Sequence, residues 1–138
     1  MIRKITRAWF DWVLVICWMG AIYYFSDQLD PPVPGLEYWS VRKLMHSIAY
    51  ALLFVLWLRA LGHISGDALS QSSRRTWRLA IAATTTYAIS DELHQHWVGR
   101  DGNALDVVID SMLPFLAWVL MEARKATRWW PQKRLDRP

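Results

Sequence analysis

Apolar residues gather in four runs separated by short polar connections. The first, about residues 9–25, is nearly all apolar, carries Asp11 close to its start and closes on Ser26-Asp27-Gln28. It is somewhat short against the ~20 residues that a bilayer-spanning helix needs, but its aromatic ends extend it into the interface. The stretch 30–35, Asp-Pro-Pro-Val-Pro-Gly, forces an irregular, extended connection, because Pro lacks a backbone N–H and restricts the residue before it. The second run covers about 41–61, with Ser40 as its expected N-cap. Its first turns carry Arg42, Lys43 and His46, and a polar loop rich in Ser and Gly follows over 62–73.

The third run starts near Thr76 and is uncharged only from Leu79 to Ser90, too short to span by itself. Continued through Asp91, Glu92, Leu93, His94, Gln95, His96 and Trp97, and ended by Gly99, it becomes long enough. The fourth covers about 104–121, with Asn103 as expected N-cap, Asp106 three positions on, and Asp110 and Pro114 inside. The pattern predicts an all-α fold. It is an integral membrane bundle of about four transmembrane helices, in one domain over 1–138, with a basic tail over about 122–138. The alternative is a soluble helical bundle, because the uncharged runs are short.

Composition sharpens this picture. Apolar residues make up 54% of the 138, yet the mean hydropathy is only +0.08, because charges are segregated rather than absent. Ten Trp exceed what a soluble core of this size needs. Trp suits membrane–water interfaces, where the ring is buried and the N–H stays wet. The single Cys17 excludes an internal disulfide and reads as a small buried apolar residue. The first run lacks a signal-peptide cleavage pattern and reads as retained.

A pI near 9.5 would suit nucleic acid, but the placement of the bases argues otherwise. Thirteen of the sixteen Lys and Arg flank the first run, surround the second connection or follow the fourth run. The other two connections hold Asp27, Asp30, Glu37 and Asp101, with Arg100 the only base. The positive-inside rule then places both termini and the second connection in the cytoplasm. Topology and anionic headgroups explain the basic tail, and no nucleic-acid partner is expected.

This topology brings three polar sets to one membrane depth. Lys43, His46 and Tyr50 lie at the outer end of the second helix, Asp91, Glu92, His94 and Gln95 at that of the third, and Asp106 and Asp110 at that of the fourth. His46 and Tyr50 are i,i+4; Tyr87, Asp91 and Gln95, and likewise Asp106, Asp110 and Pro114, are spaced i,i+4,i+8. Acids and bases in a membrane segment are costly without partners and functional by default. Together they predict one polar pocket opening outward. Glu92 or Asp91 would act as base and His46 as acid or orienting partner, with Lys43 and Arg100 binding an anion. Each residue also has a structural reading. Asp106 complements the helix dipole, Arg42 snorkels outward, His46 is a packed histidine, and the acids form an ion-pair network with Lys43 and Arg100. His96 and Trp97 are expected at the interface. The Asp-Glu-x-His spacing matches no metal motif, and His94-x-His96 splits the two rings onto different faces. No metal or other cofactor is expected.

Lys43-x-x-His46-x-x-x-Tyr50, then Ser90-Asp91-Glu92-Leu93-His94-Gln95, Gly99-Arg100, Asp106 and Asp110, resembles the VanZ-like family of small bacterial membrane proteins. Tyr24-Phe25-Ser26-Asp27-Gln28 is similar to that family's first-helix ending, and the likeness spans about residues 20–120. The chain departs from the family at Arg42, where Asp is usual, and at Val98, where Pro is usual. It also lacks the small Gly that often follows the last acid. The resemblance implies a multi-pass protein of the bacterial inner membrane and a cell-envelope context. The family's namesake is linked to resistance to the glycopeptide teicoplanin. The expected partners are membrane lipids, with a lipid-linked precursor or a glycopeptide as candidate ligand. Two functions fit the pocket: an enzyme acting on an envelope amphiphile, or a non-catalytic accessory protein that binds one. A small proton-linked transporter ranks below both, because no charged residue is expected deep in the inner half of the first and fourth segments. Oligomeric state is left open.

Overall fold

The computed structural model describes the backbone of residues 2–28, 36–65, 73–99 and 104–135, and the side chains of 6–28, 40–63, 73–99 and 105–124. The described residues form four helices: α1 (Ile2–Ser26), α2 (Leu36–Ser65), α3 (Arg74–Trp97) and α4 (Ala104–Leu135). Arg100, Asp101, Asn103, the stretch 30–35 and the side chains of Trp39, Trp129 and Trp130 lie outside the described residues. Most of the polar loop at 62–73 does too, although α2 continues through its first residues.

The helices are longer than the apolar runs that mark them. α2 begins at Leu36, so Ser40 lies inside the helix and is not its N-cap. α1 begins at Ile2 and α4 continues to Leu135. Except at Pro131, which lacks the N–H for one bond of α4, the i→i−4 hydrogen bonds continue through those flanks. α3 has explicit ends. The Ser73 side chain accepts a hydrogen bond from the Thr76 amide at its start. Past its other end Gly99 takes φ +80°, a conformation that glycine adopts freely.

α2 is the central element, packing against all three other helices, and α3 packs on α4. α1 lies on α2, touches α3 and makes no contact with α4 among the described residues. Ion pairs and hydrogen bonds give the directions. The start of α1 meets the end of α2 through Asp11 and Arg59, and the end of α1 meets the end of α3 through Ser26 and Asp91. The start of α2 meets the start of α4 through Lys43 and Asp106. Neighbours in sequence are therefore antiparallel.

Two helical stretches, Thr6–Ser26 and Ser40–His63, are long and apolar enough to cross a membrane. The described interior holds polar as well as apolar side chains, and many large apolar side chains are exposed. Asp11, Thr76, Thr84, Asp91, Glu92, Gln95 and Asp110 are buried, while Phe10, Ile16, Leu44, Leu93, Phe115 and Leu120 are exposed. Cys17, expected inside, is exposed as well. A layer of Val15, Ile22, Leu53, Leu56, Ala60 and Ala88, with Tyr50, fills the centre. Phe54, Leu58 and Ala80 form a second cluster toward α4.

Candidate functional site

The start of α2, the end of α3 and the start of α4 form a narrow polar cleft, nearly filled by its own side chains. α2 supplies Arg42, Lys43 and His46, α3 supplies Glu92 and Gln95, and α4 supplies Asp106, Ile109 and Asp110. The i,i+4 spacing of Arg42 and His46 and of Asp106 and Asp110 puts each pair on one helix face. Six expected site residues therefore meet here: Lys43, His46, Glu92, Gln95, Asp106 and Asp110. The charges are internally paired. Lys43 Nζ lies 2.8 Å from Asp106 Oδ1, and His46 Nδ1 lies 3.7 Å from Asp110 Oδ2. Arg42 turns inward and donates to Gln95 Oε1 at 3.3 Å. Its expected role as an outward anchor is thus corrected: Gln95 offers an acceptor at the depth the guanidinium reaches.

Asp91 does not line the cleft. It is 2% exposed, and its Oδ2 accepts from Ser26 Oγ at 2.9 Å, Tyr50 Oη at 3.0 Å and Gln95 Nε2 at 3.0 Å. Each such bond to a charged group is worth about 1.5–3 kcal/mol, which offsets a desolvation penalty of several kcal/mol. Asp91 and Tyr50 therefore tie α1, α2 and α3 together behind the cleft wall. Gln95 belongs to both layers, because it also reaches Glu92 Oε1 at 3.5 Å.

His94 also departs from the expected pocket. It turns toward α1, where its ring stacks on Tyr23 with centroids 4.1 Å apart and its Nε2 lies 3.4 Å from Asp27 Oδ1. The 100° step per residue sends His94 and Gln95 to different neighbours. His96 and Trp97 are exposed. Among the described residues no group of three His, Cys, Asp or Glu side chains is arranged to hold a metal ion.

A further buried acid lies at the opposite end of the molecule. Asp11 is 2% exposed. Its Oδ1 accepts from Arg59 at 2.6 Å and its Oδ2 pairs with His63 at 2.7 Å. Asp11 lies close to the start of the first run, as the sequence has it, and the structure adds its partners on α2. The signal was present in the sequence: Arg59 and His63 are i,i+4, and antiparallel pairing puts them level with Asp11. Val15, Leu53 and Leu56, all apolar and buried, lie between this cluster and the one around Asp91. At the same end Arg74 pairs with Glu122 at 2.8 Å.

Comparison with models of known families, with curated proteins and with solved structures finds no match.

Proposed function

We propose that this chain is a VanZ-like, four-span protein of the bacterial inner membrane, with both termini cytoplasmic. Its outward cleft binds the phosphate-bearing headgroup of an envelope lipid or lipid-linked precursor. The observation that carries this reading is the convergence of Arg42, Lys43 and His46 with Glu92, Asp106 and Asp110 in one cleft. They converge in a molecule that buries several acids and amides beside its apolar core while many large apolar side chains stay exposed. Lipid is the solvent that makes that arrangement stable. In this conformation the cleft's charges satisfy one another, so binding is an exchange of partners. Lys43 leaves Asp106 for the phosphate, and Arg42 gives a second, fork-shaped set of donors.

A second reading is acid–base chemistry on the same ligand. It is favoured by Glu92 and the His46–Asp110 pair lining one wall-to-wall space. Glu92 would take a proton and His46, oriented by Asp110, would give one. Transport remains the weakest reading, because the apolar layer at Val15, Leu53 and Leu56 separates the two polar clusters.

Mass spectrometry of membrane lipids and lipid-linked wall precursors, and of lipid bound to the purified protein, tests both readings. Cells would carry the wild type, Glu92→Gln at matched membrane abundance, or no protein. A bound phosphate lipid lost on Lys43→Gln supports binding. A species whose cellular level changes only with the wild type supports chemistry. Purified protein that retains the same lipids with and without Lys43 and Arg42 overturns the headgroup assignment.

A further inference from the structure

On the α1 side of α2, next to the polar cleft, lies a larger apolar groove of about 500 Å³ of atom-free space, counting its open side. Trp18, Ala21, Ile22 and Phe25 form its α1 wall, and Met45 and Ala49 its α2 wall. Ser26 and His46 complete the lining. Both belong to the outer end of the molecule, and His46 lines the cleft as well as the groove. At the other end the Trp18 indole N–H donates to the Ala49 carbonyl at 2.9 Å, bridging the two walls. The groove is thus apolar along its length, polar at the end where His46 also borders the cleft, and bridged at the far end. Its span from Trp18 to Ser26 is about 12 Å at the helical rise per residue.

We infer that groove and cleft hold the two parts of one amphiphile. A hydrocarbon chain lies between α1 and α2 and a phosphate headgroup lies at Arg42 and Lys43. His46 stands at the junction, beside the linkage that joins chain to head. This rests on the headgroup reading given above and adds where the chain lies. The continuity through His46 sets the occupant: a soluble phosphate would leave the groove unused, and a hydrocarbon without a charged head would leave Arg42 and Lys43 unused. The small side chains of Ala21 and Ala49 leave the room, while Phe25 and Met45, both more than half exposed, wall the open side.

The test uses the full chain in dodecyl maltoside micelles, which bring no phosphate. The probe is an alkyl phosphate with a diazirine near the end of its chain. The control carries the same chain and diazirine on a maltoside head. After photolysis, labelled residues are mapped by peptide mass spectrometry. The expected result is a several-fold excess of labelling at residues 18–25 and 45–49 by the phosphate probe over the control. Ala21→Phe and Ala49→Leu fill the groove from opposite walls, and each should lose that excess. A phosphate-specific excess that depends on Lys43 but falls on other helices overturns the groove assignment and leaves the headgroup reading standing. Identical maps for probe and control, unchanged by Lys43→Gln, overturn both.

Discussion

Tyr50 donates to Asp91 at 3.0 Å, and neither residue reaches the surface: Tyr50 is 0% and Asp91 2% exposed. The two belong to different helices, and the same carboxylate oxygen also accepts from Ser26 on a third. This places them behind the cleft, as the joint that sets the spacing of the helices lining it. Tyr50→Phe removes one donor to a charged acceptor and is expected to cost about 1.5–3 kcal/mol. Asp91→Ala strands three donors and is expected to cost more. Unfolding of the purified protein in detergent by heat or denaturant gives both values. If Tyr50→Phe unfolds like the wild type, the bond contributes nothing to the joint.

The buried Asp11 makes a contrast between its own removal and that of its partner. Arg59→Met leaves the carboxylate buried with only His63 beside it, and breaking a buried pair this way costs about 3–5 kcal/mol at most. The lower part of that range is expected, because the Arg59 side chain is 44% exposed. Asp11→Val removes the buried charge itself and leaves Arg59 and His63 with access to the exterior, so it should cost less. A double-mutant cycle in the same unfolding assay measures the coupling. Equal losses for the two single variants would mean that Asp11 is not held in a low-dielectric site.

Lys43 and Asp106 are 40% and 23% exposed. A partly exposed ion pair contributes about 0–1 kcal/mol. Lys43→Gln is therefore expected to unfold almost as the wild type does while losing bound phosphate lipid. Asp106→Asn should keep that lipid, since it releases Lys43 from competition without removing the cation. Native mass spectrometry of protein purified at low detergent reads both outcomes. Stronger retention in Lys43→Gln than in Asp106→Asn would reverse the assignment.

Orientation is open to labelling in cells. In a Cys17→Ala background, Gln28→Cys lies just past the end of α1 and Ser73→Cys caps the start of α3, so the two mark opposite ends of the molecule. With both termini cytoplasmic, an impermeant maleimide should label Gln28→Cys on intact cells and Ser73→Cys only after lysis. The reverse pattern would put the cleft on the cytoplasmic side. Labelling of both on intact cells would be incompatible with crossing.

The sequence by itself determined that there are four helices, because its apolar runs are separated by proline, glycine and polar clusters that interrupt them. It also determined that Lys43, His46, Glu92, Gln95, Asp106 and Asp110 share one end, since antiparallel neighbours return every second helix terminus to the same level. Only the tertiary structure decided which of those neighbours reach a common space. Spacing along a helix assigns a side chain to a face but does not say which neighbour that face meets. That depends on the rotation of each helix about its axis and on where α1 docks, and both follow from packing of residues far apart in sequence. Hence Asp91 and Tyr50 went behind the cleft, His94 went to Tyr23 and Asp27, and Arg42 went into the cleft. Asp11 joined Arg59 and His63 for the same reason: a lone acid in an apolar run gains its partners only when another helix end arrives beside it. The helix ends were underestimated because the apolar runs mark only the apolar part of each helix, while the backbone hydrogen bonds continue into its polar flanks.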